Sequence, residues 1–197
     1  LSVFGSDDRL KIVVKSPDPQ DPAFSGAFGG YTRFLRAQLR LDSELAPNTR
    51  WENTASWGIT DSDQAFGSNG FASTAHDFTL RSDLRAELSS LITFNAGIDA
   101  FALLNDIRAT FRPYPASNAP PSPSDARPAR SASTTARLFR PAVYAGLEIR
   151  PFDGFKLMPS VRADYTHDTE QVTVDPRLGV RWDVVRSPRR TTLKAGA

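Results

Sequence analysis

Residues 141–185 read PAVYAGLEIR (141–150), PFDG (151–154), FKLMPSVRADYTHD (155–168), TEQVTV (169–174) and DPRLGVRWDVV (175–185). On an extended strand successive side chains point to opposite sides. The first segment therefore sets Val143, Ala145, Leu147 and Ile149 against Tyr144, Glu148 and Arg150. The second sets Phe155, Leu157, Val161, Ala163 and Tyr165 against Lys156, Ser160, Arg162, Asp164 and Thr166. In the third, Leu178, Val180, Trp182 and Val184 oppose Arg177, Arg181 and Asp183. The stretch predicts two successive hairpins in which every strand has one apolar and one charged face.

The same alternation extends upstream. Residues 76–88 place Phe78, Leu80, Leu84, Ala86 and Leu88 opposite Asp77, Thr79, Arg81, Asp83, Arg85 and Glu87. Leu80, Leu84 and Leu88 also fit a helical spacing, but the even-odd separation of charge favours a strand. Residues 31–45 put Tyr31, Leu35, Ala37, Leu39, Leu41 and Leu45 on one face, with Arg33 as the misfit, against Thr32, Arg36, Gln38, Arg40, Asp42 and Glu44. From Arg50 to Asp61, Trp51, Ala55, Trp57 and Ile59 oppose Glu52, Thr54, Ser56 and Thr60, and Ile92, Phe94, Ala96 and Ile98 continue the pattern until it dissolves near Phe101–Leu104. In residues 1–14 the GSDD tetrapeptide shifts the parity, which predicts a bulge.

The connections alternate in length: 15–29, 46–49, 62–75, 89–90, 105–137, 151–154, 167–175 and 186–190 run long, short, long, short throughout. The segment 105–137 is dense in Pro, Ser and Ala and reads as a mobile loop. Long loops on one side and short turns on the other are the pattern of an antiparallel up-and-down transmembrane β-barrel. About nine strands are expected, most with the roughly 9–11 residues that cross a bilayer at a tilt. Tyr31, Phe78 and Tyr165 fall at the long-loop ends of their strands, and Trp51 and Phe155 near the short turns, as interface girdles require. A soluble barrel or sandwich alternates in the same way, so its apolar face would point inward instead.

Composition narrows the function classes. No run of about 18 apolar residues exists, which excludes transmembrane helices, while the negative mean hydropathy is compatible with a membrane barrel. With no cysteine there is no thiol catalysis and no disulfide framework. Twenty-four basic and 22 acidic residues, dispersed along the chain, give no nucleic-acid footprint. His76 and His167 lack close metal-ligating partners, and Asp168 and Glu170 read as a solvated acidic loop. No nucleophile elbow or phosphate-binding glycine loop appears, so neither an enzyme nor a cofactor site is expected.

LSVFGSDDRL at the start, SVRADYTHD, the motif Asp175-Pro176-Arg177-Leu178 within VDPRLGVRWDV, and TTLKAGA resemble the barrel of TonB-dependent outer-membrane receptors. The resemblance covers residues 1–197 as a middle piece of a larger barrel. Leu1 at the start and LKAGA in mid-pattern agree with a segment lacking the plug and the remaining strands. The resemblance implies a bacterial outer-membrane location, partnership with membrane lipid, a plug domain and TonB, and uptake of a scarce solute. A ferric siderophore, a cobalamin, a sugar or a peptide would suit the family. A non-transporting barrel or surface protein is the alternative.

The charged faces supply the candidate site residues. Arg36, Arg40, Arg81, Arg85, Arg162 and Arg181, with Asp42, Asp83, Asp164 and Asp183, are expected to face the lumen. Neighbouring-strand ion pairing and plug packing account for them first, and guidance of an anionic ligand by the arginines second.

Overall fold

The computed structural model describes residues 1–14, 26–66, 69–111, 129–185 and 191–197. They form one antiparallel sheet in which every strand pairs with its sequence neighbours. The strands are β1 (Ser2–Val14), β2 (Gly26–Ala46), β3 (Thr49–Phe66), β4 (Asn69–Glu87), β5 (Ile92–Phe111), β6 (Arg130–Ile149), β7 (Phe155–Thr166), β8 (Gln171–Val185) and β9 (Thr191–Gly196). The sheet is open: β1 and β9 each have one partner.

It is also a single layer. Among the described residues Ala142 is the only buried hydrophobic side chain, while Leu39, Leu41, Leu80, Val143 and Leu178 are all exposed. A soluble carrier would turn these side chains into a core. Here they form a continuous face that none of the described residues covers, as a lipid-facing surface requires.

The short turns are built as the sequence indicates. In PFDG, Gly154 takes φ 81° and the Phe155 amide donates to the Phe152 carbonyl at 3.2 Å, a geometry that glycine adopts without steric cost. Ser89 Oγ accepts from the amides of Leu91 and Ile92 at 3.2 and 3.1 Å. Each turn is also tied sideways: Glu87 N bonds Asn48 O, Arg150 N bonds Leu91 O, and Asp183 N bonds Gly154 O.

The long connections differ from expectation. Most of 62–75 is strand, since β3 runs to Phe66 and β4 begins at Asn69. Likewise β5 continues to Phe111 and β6 begins at Arg130, so much of 105–137 is sheet; residues 112–128 of that expected mobile loop lie outside the described residues. Strand β2 takes in residues 26–29, with 15–25 outside the described residues, and β8 begins at Gln171 rather than after 175. Residues 186–190, expected as a short turn, are also outside the described residues. The bulge expected at GSDD is absent, because β1 pairs with β2 in unbroken register from Ser2↔Gln38 to Val14↔Gly26.

One cause lies behind several of these differences. Strands β2 to β6 are 18–21 residues long, about twice what a bilayer crossing uses. Near the short turns the face of Leu35, Trp51, Phe78, Ile92, Phe139 and Phe155 is apolar. Farther along, the same face carries Asp7, Arg9, Arg33, Asp61, Asp63, Asp106, Arg108 and Arg137, as the unbroken pairings fix. The opposite face changes the other way, from charge to Leu10, Ile12, Phe28, Phe66, Phe71, Ile107 and Phe111. The two faces exchange polarity beyond the membrane. This accounts for the parity change in β1, the misfit Arg33 and the loss of alternation at Phe101–Leu104, where both faces are apolar.

Candidate functional site: the charged inner wall and its mouth

The charged face carries the expected arginines, and the pairing register decides what each one meets. Arg40 reaches Asp42 and Glu52, both at 3.2 Å, and Arg81 holds Asp83 at 2.8 Å. Arg162 lies 2.9 Å from Asp164 and 3.4 Å from Asp99, and Arg181 lies 3.5 Å from Asp183. Several of these are pairs two residues apart on one strand, pointing to the same side. Each is the short-range solution to a row of like faces.

Four ion pairs or hydrogen bonds cross a whole strand, among them Arg162 to Asp99 over β6 and Arg85 to Glu148 over β5, and the other two pass over glycine. Arg36 on β2 spans β3 above its partner Gly58 to reach Asp77 on β4 at 2.9 Å. A Cβ at Gly58 would meet the Asp77 carboxylate. Tyr144 on β6 likewise passes over Gly97 on β5 and donates its hydroxyl to Asp83 on β4. A Cβ at Gly97 would collide with the Tyr144 hydroxyl and the Ser82 carbonyl. The ring of Tyr144 lies between the guanidinium groups of Arg81, at 6.0 Å, and Arg162, at 5.8 Å. This cluster binds β4, β5, β6 and β7 through side chains as well as through their ladders.

Nearer the short turns Glu148 collects three cations: Arg150 at 2.6 Å, Arg85 at 3.6 Å, and Lys156. Glu148 is 9% exposed, beside the fully buried Thr93 with which it pairs across β5 and β6. A carboxylate this sheltered requires paired cations, since an unpaired buried charge costs several kcal/mol.

Every arginine named as a candidate thus has a carboxylate partner. The sequence reading missed Tyr144, Glu148, Asp77 and the two glycines as members of the network. An aromatic ring on an otherwise charged face was the available signal for Tyr144. Its partners on β4 depend on inter-strand register, which no single segment encodes.

The aromatics expected at the membrane interface sit on the opposite face. Trp51 donates Nε1–H to Ser82 Oγ at 2.8 Å near a short turn, and Phe155 stacks on Phe152 with ring centroids 5.0 Å apart. At the other end Phe78 pairs with Trp57, which stacks on His76 at 6.2 Å, and Tyr165 lies 6.4 Å from His167. Tyr31 lies farthest from the turns, its hydroxyl donating to Asp61 at 3.3 Å with the Arg33 guanidinium 5.5 Å from its ring.

Beyond this level Asp61 accepts from Arg33 at 2.6 Å and from Thr74 Oγ1 at 3.0 Å. The Arg33 hydrogen bond, outweighing the opposing effect of burial, holds the Asp61 carboxyl below the usual carboxylate range.

An antiparallel sheet with an uncovered apolar band of bilayer width on one face and an ion-paired lattice on the other is the wall of a transmembrane β-barrel. The chain belongs to the family of TonB dependent receptor-like β-barrels, whose model matches residues 3–196. Its fold is similar to that of the outer membrane transporter YddB from Escherichia coli, with a TM-score of 0.55 and 13% identity over 80% of this chain and 24% of that one. It is similar also to the siderophore receptor PiuA from Acinetobacter baumannii, with a TM-score of 0.53 and 13% identity over 86% of this chain and 29% of that one. The chain therefore spans less than a third of either protein's length. No curated protein matches it.

Proposed function

We propose that this wall belongs to an outer-membrane receptor that takes up a scarce solute with energy delivered through TonB. In that protein the apolar band faces lipid, the paired wall faces a plug domain, and the long-connection side opens outside the cell. The observation that carries the reading is the pairing of a lipid-width apolar band with a compensated polar wall, in a chain of this family. On this reading the ion pairs of Arg36, Arg40, Arg81, Arg85, Arg162 and Arg181 hold the wall in shape against the plug. Guidance of an anion by the same arginines finds less support, because carboxylates already occupy their guanidinium groups.

The test is uptake by cells that depend on the full-length receptor. Growth on a limiting solute that needs this receptor is expected to be lost when TonB is deleted. Equal growth with and without TonB would overturn the proposal.

A further inference from the structure

The polarity exchange leaves an inward-facing hollow at the mouth, and it differs in kind from the wall beneath. Between β1, β2 and β3 the side chains of Leu10, Ile12, Phe28 and Phe66 surround a cavity of about 570 Å³, within the range of small-molecule sites. Phe28 and Phe66 meet edge to face, with ring centroids 6.3 Å apart and planes at 69°. Gly30 pairs with both Leu10 and Gln64, so the floor between these side chains carries no side chain of its own. Leu10, Ile12 and Phe66 are exposed in this hollow, at 65%, 49% and 51%.

Polar groups are few, and the one basic residue that borders the hollow, Arg9, is already held by Asp7 at 2.8 Å. Gln64 and Thr32 line the hollow, and Asp8 stands at its edge, accepting from Ser6 Oγ at 3.0 Å. Among the described residues Asp8 has no basic partner, whereas the candidate arginines of the wall below are all ion-paired. An apolar slot wide enough for a ring, bordered by one carboxylate lacking a counter-charge, complements a body of opposite character.

We infer that this hollow is a first-contact site for an amphipathic solute with a ring or alkyl body and a protonated amine. The body lies against Phe28, Phe66, Leu10 and Ile12, and the ammonium group faces Asp8. A sugar offers too little apolar surface for these walls, and an anion meets the Asp8 carboxylate. The inference rests on the receptor reading, since it takes the mouth to be open to the cell exterior.

The test uses the full-length receptor in lipid nanodiscs, with empty nanodiscs subtracted. Dansylcadaverine serves as the apolar amine, 8-anilinonaphthalene-1-sulfonate as an apolar anion and maltotriose as a sugar. Dansylcadaverine is expected to bind in preference to the other two. Phe66→Ala is expected to weaken it by roughly five- to tenfold through lost ring contact. Asp8→Asn is expected to erase most of the preference for the amine over the anion. Phe66→Leu, with the heat-modifiable gel mobility of a folded barrel, guards against misfolding and is expected to bind with intermediate affinity.

No binding above empty nanodiscs, unchanged binding in folded Phe66→Ala and Asp8→Asn, or a preference for the anion or the sugar would overturn the inference. Growth with and without TonB is scored separately. Loss of TonB dependence with intact amine binding defeats the receptor reading alone, and TonB-dependent growth without amine binding defeats this site alone.

Discussion

Asp61 shows how much one side chain's surroundings set its role. Its carboxylate takes hydrogen bonds from Arg33, Thr74 and Tyr31, all on the outward face beyond the apolar band. Because its pKa is depressed in the folded state, its stabilisation is fully present above the unfolded carboxylate pKa and is lost as pH falls through the lower folded value. Arg33 is 57% exposed, so solvent screening keeps the contribution small. Asp61→Asn in the full-length receptor is expected to lower the thermal midpoint slightly and equally from pH 5 to 8. The difference from the unsubstituted protein is expected to vanish well below pH 4. A difference that grew on acidification would contradict the assignment.

At the scale of the strand, the seam between β6 and β7 is the discontinuous one. Their ladder runs from Ala142↔Asp164 to Gly146↔Ser160, then resumes only at Ile149↔Leu157 with the register unchanged. Pro159 lies in the gap, and proline has no N–H to give to a neighbouring strand. Odd residues of β6 and β7 bond each other across this seam, so Pro159 leaves the Leu147 carbonyl without its ladder donor, and hydrogen exchange in the full-length receptor is expected to be faster for the Leu147 amide beside that missing bond than for the Ala145 and Val161 amides. Uniform protection along the seam would show that the ladder closes there. The strands themselves were legible in the sequence, as period-two alternation through Leu35–Leu45, Phe78–Leu88 and Phe155–Tyr165. Their upper halves were not. A strand that swaps faces midway breaks the alternation of one apolar and one polar face, so it mimics a bulge at GSDD and loop at 62–75 and 105–137. The arginines were visible as a charged face, but contacts such as Tyr144 to Asp83 across Gly97 arise from register across three strands and leave no local trace.

For the whole molecule, the open sheet sets what this piece does by itself. Strand β1 pairs only with β2, and β9 only with β8, so two rows of backbone groups await partners, an arrangement not tolerated in hydrocarbon. The 197-residue chain reconstituted alone is expected to give no discrete single-channel conductance in planar bilayers; a steady unitary step would refute this. The exchange of polarity along β2 to β6 also fixes how deep the wall sits. Sliding the sheet toward its short turns would draw Arg33, Arg108 and Arg137 into hydrocarbon, at a cost that rises to about 2–4 kcal/mol each at the midplane. Sliding it the other way would strand Leu39, Leu80 and Val143 in water. Each strand carries its own depth mark, and the neighbouring marks, locked together by the ladders, hold the wall at one height in the bilayer as a float line holds a hull.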